Sequence, residues 1–215
     1  FNPCFIRGSI LLSAENPPAR CRMSTKYGIL VATIAACALF AAAQENSLTG
    51  PTTGPATEKR FPPLKVPPGF RATLFACDPL HEYPSVNSVG PRPGALFVAI
   101  DYMTGLGTDG KVKSEVRLIE DTDGDGYADK STVAGKGFNS IQGLAYHDGT
   151  LFVMHAPFLT ALRATFGKDG AGIAGERRDL LTGLGQTPEA NPTLLHCANG
   201  VTVGHDCWLS LSMGD

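Results

Sequence analysis

The chain carries no basic excess and no cluster of Lys and Arg: 18 basic residues stand against 20 acidic ones. Nucleic-acid binding rests on such clusters to neutralise phosphates, so nucleic acid is excluded as the expected partner. No Cys-x-x-Cys-His occurs, so no c-type haem is attached within these residues. A membrane-spanning helix needs about 20 apolar residues, and the apolar run from Tyr27 to Phe40 is shorter than that. Charge is sparse at 18%, whereas hydrophobic residues make up 43%, enough for a globular core. Gly (25) and Pro (16) are abundant, which favours turns and short strands over long helices.

The N-terminal part reads as processing signal rather than structure. Met23 to Lys26 gives a short positive start, Tyr27 to Phe40 an apolar stretch, and Ala41 to Ala43 a small-residue cleavage site before Gln44. These are the parts of a secretory signal peptide over 23–43. A competing reading takes Ile34 to Cys37 as a lipoprotein box with Cys37 lipidated. Either way the protein is expected to be exported, to a periplasm or cell surface. Residues 1–22 precede the first Met and read as an upstream, non-native extension. Removing residues 1–43 takes away Arg7, Arg20, Arg22, Lys26 and Glu15 and leaves a net charge of −5. Three cysteines remain, Cys77, Cys197 and Cys207. Export permits a disulfide, and the odd count leaves at least one thiol unpaired or intermolecular.

Residues 44–62, rich in Thr, Gly and Pro, are expected to form a flexible linker. Structure is expected from about residue 63, with a first strand over 71–76. A pattern then repeats. Gly94 to Val98 (Gly-Ala-Leu-Phe-Val) matches Gly149 to Val153 (Gly-Thr-Leu-Phe-Val), an offset of 55. Cys207 to Leu211 is a looser third copy. Each copy follows a turn, and a strand precedes the later two, Gly143 to Tyr146 and Gly200 to Val203. A period of roughly 55 residues with about four short strands is the mark of a β-propeller blade. The fold expected for 63–215 is therefore all-β, the N-terminal part of a propeller with about three blades of four-stranded sheet. A β-sandwich is the alternative.

Between two strands lies an acidic run, Asp121, Asp123, Asp125 and Asp129, with Gly126 and Tyr127. Carboxylates at alternate positions in a tight loop repel one another unless a cation sits among them. Ca²⁺ takes six to eight oxygens, and Asp121, Asp123, Asp125, the Tyr127 carbonyl and Asp129 supply most of them, water the rest. Position 132 is Thr, not the bidentate Glu that would end an EF-hand loop. The plain alternative is a solvated turn. A later loop, Gly167 to Gly170, looks like a copy that has lost its carboxylates.

Pro67 to Phe70, the Leu-Phe-Val strands and the closing Gly214-Asp215 resemble propellers of the glucose/sorbosone dehydrogenase type. The acidic run and Val153 to Pro157 are similar to segments of large secreted planctomycete proteins labelled membrane-bound dehydrogenases or haem-binding-domain proteins. The resemblance covers about residues 63–215. In the soluble quinoprotein sugar dehydrogenases a His opening a comparable strand–turn–strand is the base that takes the hydroxyl proton as hydride passes to pyrroloquinoline quinone. An Asp in a closing Gly-Asp pair orients it. The resemblance puts these roles on His196 and Asp215. Cys207 stands where that family has Gly, and Ala198-Asn199 replaces its Gly-rich pair.

Two functions follow as expectations. One is a quinone-dependent dehydrogenase of a sugar or alcohol that passes electrons to a cytochrome module, with haem c only beyond these residues. The other is a non-catalytic, Ca²⁺-stabilised propeller that binds a glycan or a protein partner. His155 is a second candidate base. His147 and His205 are expected in solvated turns, and Trp208 as a packing anchor.

Overall fold

The computed structural model describes residues 53–70, 72–103, 112–163, 165–166, 172–173, 176–186 and 198–214. Among them only one short helix occurs, α1 (Pro55–Glu58); the rest of the regular structure is strand. Four strands, β1 (Pro84–Val89), β2 (Ala95–Ile100), β3 (Ser114–Glu120) and β4 (Lys130–Phe138), form one antiparallel sheet in the order β1-β2-β3-β4. The next unit runs through β5 (Ile141–His147), β6 (Thr150–His155) and β7 (Phe158–Arg163). After it a small ribbon pairs β8 (Thr165–Phe166) with β9 (Gly172–Ile173), and β10 (Arg177–Leu181) returns to give the sheet order β10-β7-β6-β5. A third unit holds β11 (Ala198–Val203) paired with β12 (Leu209–Met213).

These are three propeller blades in succession, two with four strands and one with two. The fold is all-β and a partial propeller, as the repeat predicts. Each blade starts at its innermost strand and works outward. β4 ends at Phe138 and β5 opens at Ile141, so the outermost strand of one blade feeds the innermost strand of the next. The innermost strands β1, β5 and β11 lie side by side. Ser85 Oγ donates to the Ile141 carbonyl at 2.7 Å, and the Tyr146 N–H donates to Ser88 Oγ at 3.1 Å, tying the first two blades near the axis.

The strand sequences show why blades stack. β2 is apolar at every position, because alternate side chains leave opposite faces and both faces are covered. Ala95, Phe97 and Ala99 pack toward the second blade with Val116, Leu118, Ile141, Leu144, Leu151 and Val153. Leu96, Val98 and Ile100 pack the other way, against Phe75, Ala76 and Leu80 of the N-terminal segment. Full burial of a side chain such as Phe97 stabilises by about 1.5–3 kcal/mol. The second and third blades approach closely at Gly143. A Cβ built there would lie 2.9 Å from the Val201 nitrogen and 3.0 Å from Gly200 Cα.

The N-terminal segment departs from the expectation of a strand over 71–76. Residues 72–77 have no strand partner among the described residues. They are nevertheless held to the first blade: the Ala128 N–H donates to the Phe75 carbonyl at 2.7 Å, and Arg117 Nη1 to the Leu80 carbonyl at 3.2 Å. Part of the stretch read as linker also docks there. Thr53 is buried and its N–H donates to the Ala128 carbonyl at 3.2 Å, while the Tyr127 hydroxyl donates to Glu58 of α1 at 2.6 Å. The expected signal peptide, the lipid-anchor cysteine Cys37 and residues 1–22 lie outside the described residues. No described helix is long and apolar enough to cross a membrane.

Candidate functional site

Two polar sites occupy opposite ends of the first blade. At one end β3 passes through the acidic loop into β4. This end also carries the β1–β2 turn, because the Asp121 N–H donates to the Gly94 carbonyl at 2.8 Å. The loop is closed below by the Asp129 N–H on the Glu120 carbonyl at 2.9 Å. Gly124 and Gly126 take φ of 81° and 93°, which only glycine adopts without strain, and they turn the chain around the Asp121 carboxylate. Asp121 Oδ1 accepts from Gly124 N at 2.7 Å and Oδ2 from Gly126 N at 2.9 Å. Asp123 Oδ1 accepts from Asp125 N at 3.2 Å, and Asp125 Oδ1 from Tyr127 N at 2.8 Å.

One carboxylate oxygen from each of Asp121, Asp123 and Asp125 lies within 4.8 Å of the others. Desolvation pushes the Asp121 carboxyl up, but the N–H groups of Gly126 and Gly124, with further hydrogen bonds from Asp123 and Asp125, outweigh it and hold it below the usual carboxylate range. Three carboxylate oxygens around one point fit a hard cation. Of the carboxylates expected as ligands, the structure brings together these three. Asp129 is turned elsewhere: its carboxylate accepts from Thr122 N at 3.2 Å and Thr122 Oγ1 at 2.6 Å. Tyr127 is expected to offer its carbonyl rather than its side chain; the buried phenol donates to Glu58.

The other end holds a buried polar seam between the first two blades. Asp101 follows β2 and is 2% exposed. Its Oδ1 accepts from Met103 N at 2.9 Å and Ser114 Oγ at 3.1 Å; its Oδ2 accepts from Ser140 Oγ at 2.7 Å and Gln142 Nε2 at 3.1 Å. Four donors, two of them from the second blade, compensate a carboxylate withdrawn from water. Gln142 also donates to Ser140 Oγ at 2.8 Å, so both protons of its amide nitrogen are used. That fixes which way the amide faces. Its Oε1 has no hydrogen-bond partner among the described residues, and the side chain is only half-buried. The seam therefore orients an amide carbonyl as a ready acceptor for a hydroxyl group.

Beside it, Asn139 Nδ2 donates to the Ala156 carbonyl at 2.7 Å and its Oδ1 accepts from Lys113 Nζ at 2.6 Å. The Asn139 N–H donates to His155 Nδ1 at 3.4 Å, so His155 carries its proton on Nε2. That nitrogen donates to Thr160 Oγ1 at 2.8 Å, and Thr160 donates to Asp179 at 2.5 Å. Burial, reinforced by Arg177 and Lys113, depresses the His155 pKa to about 4, against the opposing charge of Asp179. A His with both nitrogens committed and 2% exposure is a packing element, so the second candidate base is withdrawn from chemistry.

His196 and Asp215 lie outside the described residues. The hairpin they flank in sequence is described, with Ala198 opposite Met213. Cys197 also lies outside; Cys77 and Cys207 are free thiols. His205 is exposed in a turn, as expected; His147 is also exposed but ends β5, paired with Thr150, rather than lying in the turn; Trp208 is half-buried. Sequence reasoning missed Asp101 and Gln142. The available signal was a lone carboxylate closing an apolar strand, Ala95 to Asp101, and a lone amide opening another, Ile141 to Ala145.

The model of a family described as a domain of unknown function, DUF7133, matches residues 56–215. No curated protein matches the chain. A solved structure from Thermus thermophilus, whose assignment as an oxidoreductase (glucose dehydrogenase) is itself provisional, is 22% identical with a TM-score of 0.42, over 60% of this chain and 39% of that one. The chain thus spans about two fifths of that protein's length.

Proposed function

The chain belongs to the DUF7133 family of domains of unknown function, and we propose that residues 63–215 are part of the propeller of an exported oxidoreductase. The reaction is the oxidation of a sugar or alcohol hydroxyl, and it takes place at the end of the blades where Asp101 and Gln142 lie. The observation that carries this reading is the Gln142 amide, locked by Asp101 and Ser140 with its carbonyl oxygen left over. Such an acceptor suits a substrate hydroxyl, and its orientation is fixed before the ligand arrives. His196 takes the hydroxyl proton and Asp215 orients it, on the family resemblance. A quinone would supply the acceptor for the hydrogen bound to carbon, and a cytochrome module would take the electrons onward.

Pyrroloquinoline quinone supplies the electron acceptor in this reading. Its carboxylates call for cations, and the described cations nearby are engaged: Lys113 donates to Asn139, and Arg177 donates to the Lys136 carbonyl and lies over Phe138. The described residues do not by themselves make its site, and no step is assigned through it. The acidic loop, at the far end of β3, holds Ca²⁺ as a structural ion. Seven strand residues at about 3.3 Å each set it roughly 20 Å from Asp101, too far for contact with the same substrate.

A second reading rests on that same separation. A cation site remote from the polar seam also suits a non-catalytic, Ca²⁺-stabilised propeller that binds a glycan or a protein. Dye reduction by the full polypeptide, given pyrroloquinoline quinone and Ca²⁺ and a panel of sugars and alcohols, decides between them. Substrate-dependent reduction supports the oxidoreductase; no reduction, with a glycan or protein still bound, supports the second reading.

A further inference from the structure

The innermost strand of each described blade carries the same irregularity. Ile141 and Gly143 of β5 lie opposite consecutive residues of β6, His155 and Met154, so Gln142 is an extra residue with no partner in the ladder. In β11, Ala198 and Gly200 lie opposite Met213 and Ser212, and Asn199 is the extra residue. In β1, Pro84 and Val86 lie opposite Ile100 and Ala99, and the extra residue is Ser85. A β-bulge of this kind bends its strand and re-aims one side chain. All three bulges fall at the start of their strands, the end of the blades where Asp101 lies.

The three bulged residues are polar, but their side chains stand in different states. Ser85 is committed, its hydroxyl donating to the Ile141 carbonyl at 2.7 Å. Gln142 is locked by Asp101 and Ser140, with its carbonyl oxygen left over. Asn199 is exposed and has no side-chain hydrogen bond among the described residues. Packing gives no reason for its presence, and Asn is depleted from strands.

The contact between the second and third blades brings Gln142 and Asn199 to one level. Each is followed by a glycine, and these glycines face each other: a Cβ on Gly143 would lie 3.0 Å from Gly200 Cα. With one Cα–Cα step of about 3.8 Å on either side, the Gln142 and Asn199 Cα atoms are within about 12 Å of each other. One amide is preset as an acceptor, and the other can both donate and accept. Such a pair matches a ligand with more than one hydroxyl group.

We infer that Asn199 is a substrate-contacting residue, the third-blade counterpart of Gln142, and that the two amides hold two hydroxyl groups of one ligand. The inference rests on the site proposed at Gln142, and it narrows the substrate class to sugars and polyols, leaving out monohydric alcohols. Gln142 Oε1 accepts from the first hydroxyl, and the Asn199 amide donates to or accepts from the second.

Saturation-transfer NMR titration of the full polypeptide with a panel of aldohexoses and hexitols tests this without recourse to turnover. Asn199→Ala should weaken the tightest panel member by about 3- to 10-fold, the worth of one net hydrogen bond. The melting temperature should not move, because residue 199 is exposed and outside the ladder. Gln142→Ala should weaken binding at least as much, and 1-propanol at equal concentration should not displace the bound ligand. Unchanged binding in Asn199→Ala, with binding weakened in Gln142→Ala, overturns the inference and leaves the Gln142 site standing. Binding by no panel member, or unchanged binding in both variants, removes that site and the inference with it. Displacement by 1-propanol as effective as by the sugar overturns the need for two hydroxyls. Should Asn199→Ala not fold, Asn199→Gly gives the same readout.

Discussion

Replacing Asp101 by Asn is the sharpest perturbation of the seam. The two side chains match in shape, so nothing is lost in packing. Asp101 accepts at least four hydrogen bonds, one of them from the Met103 backbone N–H and one from Gln142 Nε2. An Asn amide offers one acceptor oxygen. Its NH₂ must then face either Met103 N–H, which cannot reverse, or the pair Ser140 and Gln142. The second arrangement is tolerable only if Ser140 turns its hydroxyl and Gln142 flips its amide. Removing the charge does relieve some desolvation, and in a poorly solvated pair that relief wins. Here four donors already solvate the carboxylate, and hydrogen bonds to a charged group are worth about 1.5–3 kcal/mol each. Losing two and recovering part of one by reorientation costs about 3 kcal/mol. At about 2–4 °C per kcal/mol for a chain of this size, the melting temperature should fall by about 6–12 °C. Differential scanning calorimetry at pH 7 reads it. A shift under about 2 °C, or a rise, refutes the reasoning.

Other predictions concern neighbouring features. Gly143→Ala drives a methyl to within 3.0 Å of the third blade's backbone and should destabilise by about 1–3 kcal/mol in urea titration; a neutral result means the blades are not in close contact there. His155 has a depressed folded-state pKa, so its contribution to stability is complete above its unfolded value of 6.5 and is lost as pH falls toward about 4. Melting temperature should therefore drop between pH 6.5 and 5, and His155→Gln should flatten that slope; an unchanged slope assigns the drop to other groups. Ca²⁺ titration should raise the melting temperature and Asp123→Asn should abolish the rise, whereas no shift and no binding heat would sink the structural-ion reading.

The propeller was legible because blades repeat. Leu96-Phe97-Val98 and Leu151-Phe152-Val153 fall at the same register of β2 and β6, and the turns ahead of them carry glycine at positive φ in both. Apolar pattern alone placed these strands, since each must be buried on two faces. The acidic loop was legible as a cluster, and Asp121, Asp123 and Asp125 come together in it. Asp129 shares the alternating spacing, yet the chain has already turned at Gly126, and its carboxylate meets Thr122. The seam was not legible at all. Asp101 and Gln142 are 41 residues apart, and only the packing of two blades brings their side chains together. The N-terminal segment failed as a strand for a related reason: a strand is a pairing, and its alternating residues say nothing about where the partner lies.

The central claim divides labour between the two ends of the blades, chemistry at the seam and a structural cation at the acidic loop. One paired measurement tests it: dye reduction by the full polypeptide loaded with pyrroloquinoline quinone and Ca²⁺, for His196→Ala and Asp123→Asn side by side, below the melting temperature of each. The account predicts that His196→Ala abolishes turnover while Asp123→Asn retains it. Turnover that survives His196→Ala but vanishes in a folded Asp123→Asn would contradict it.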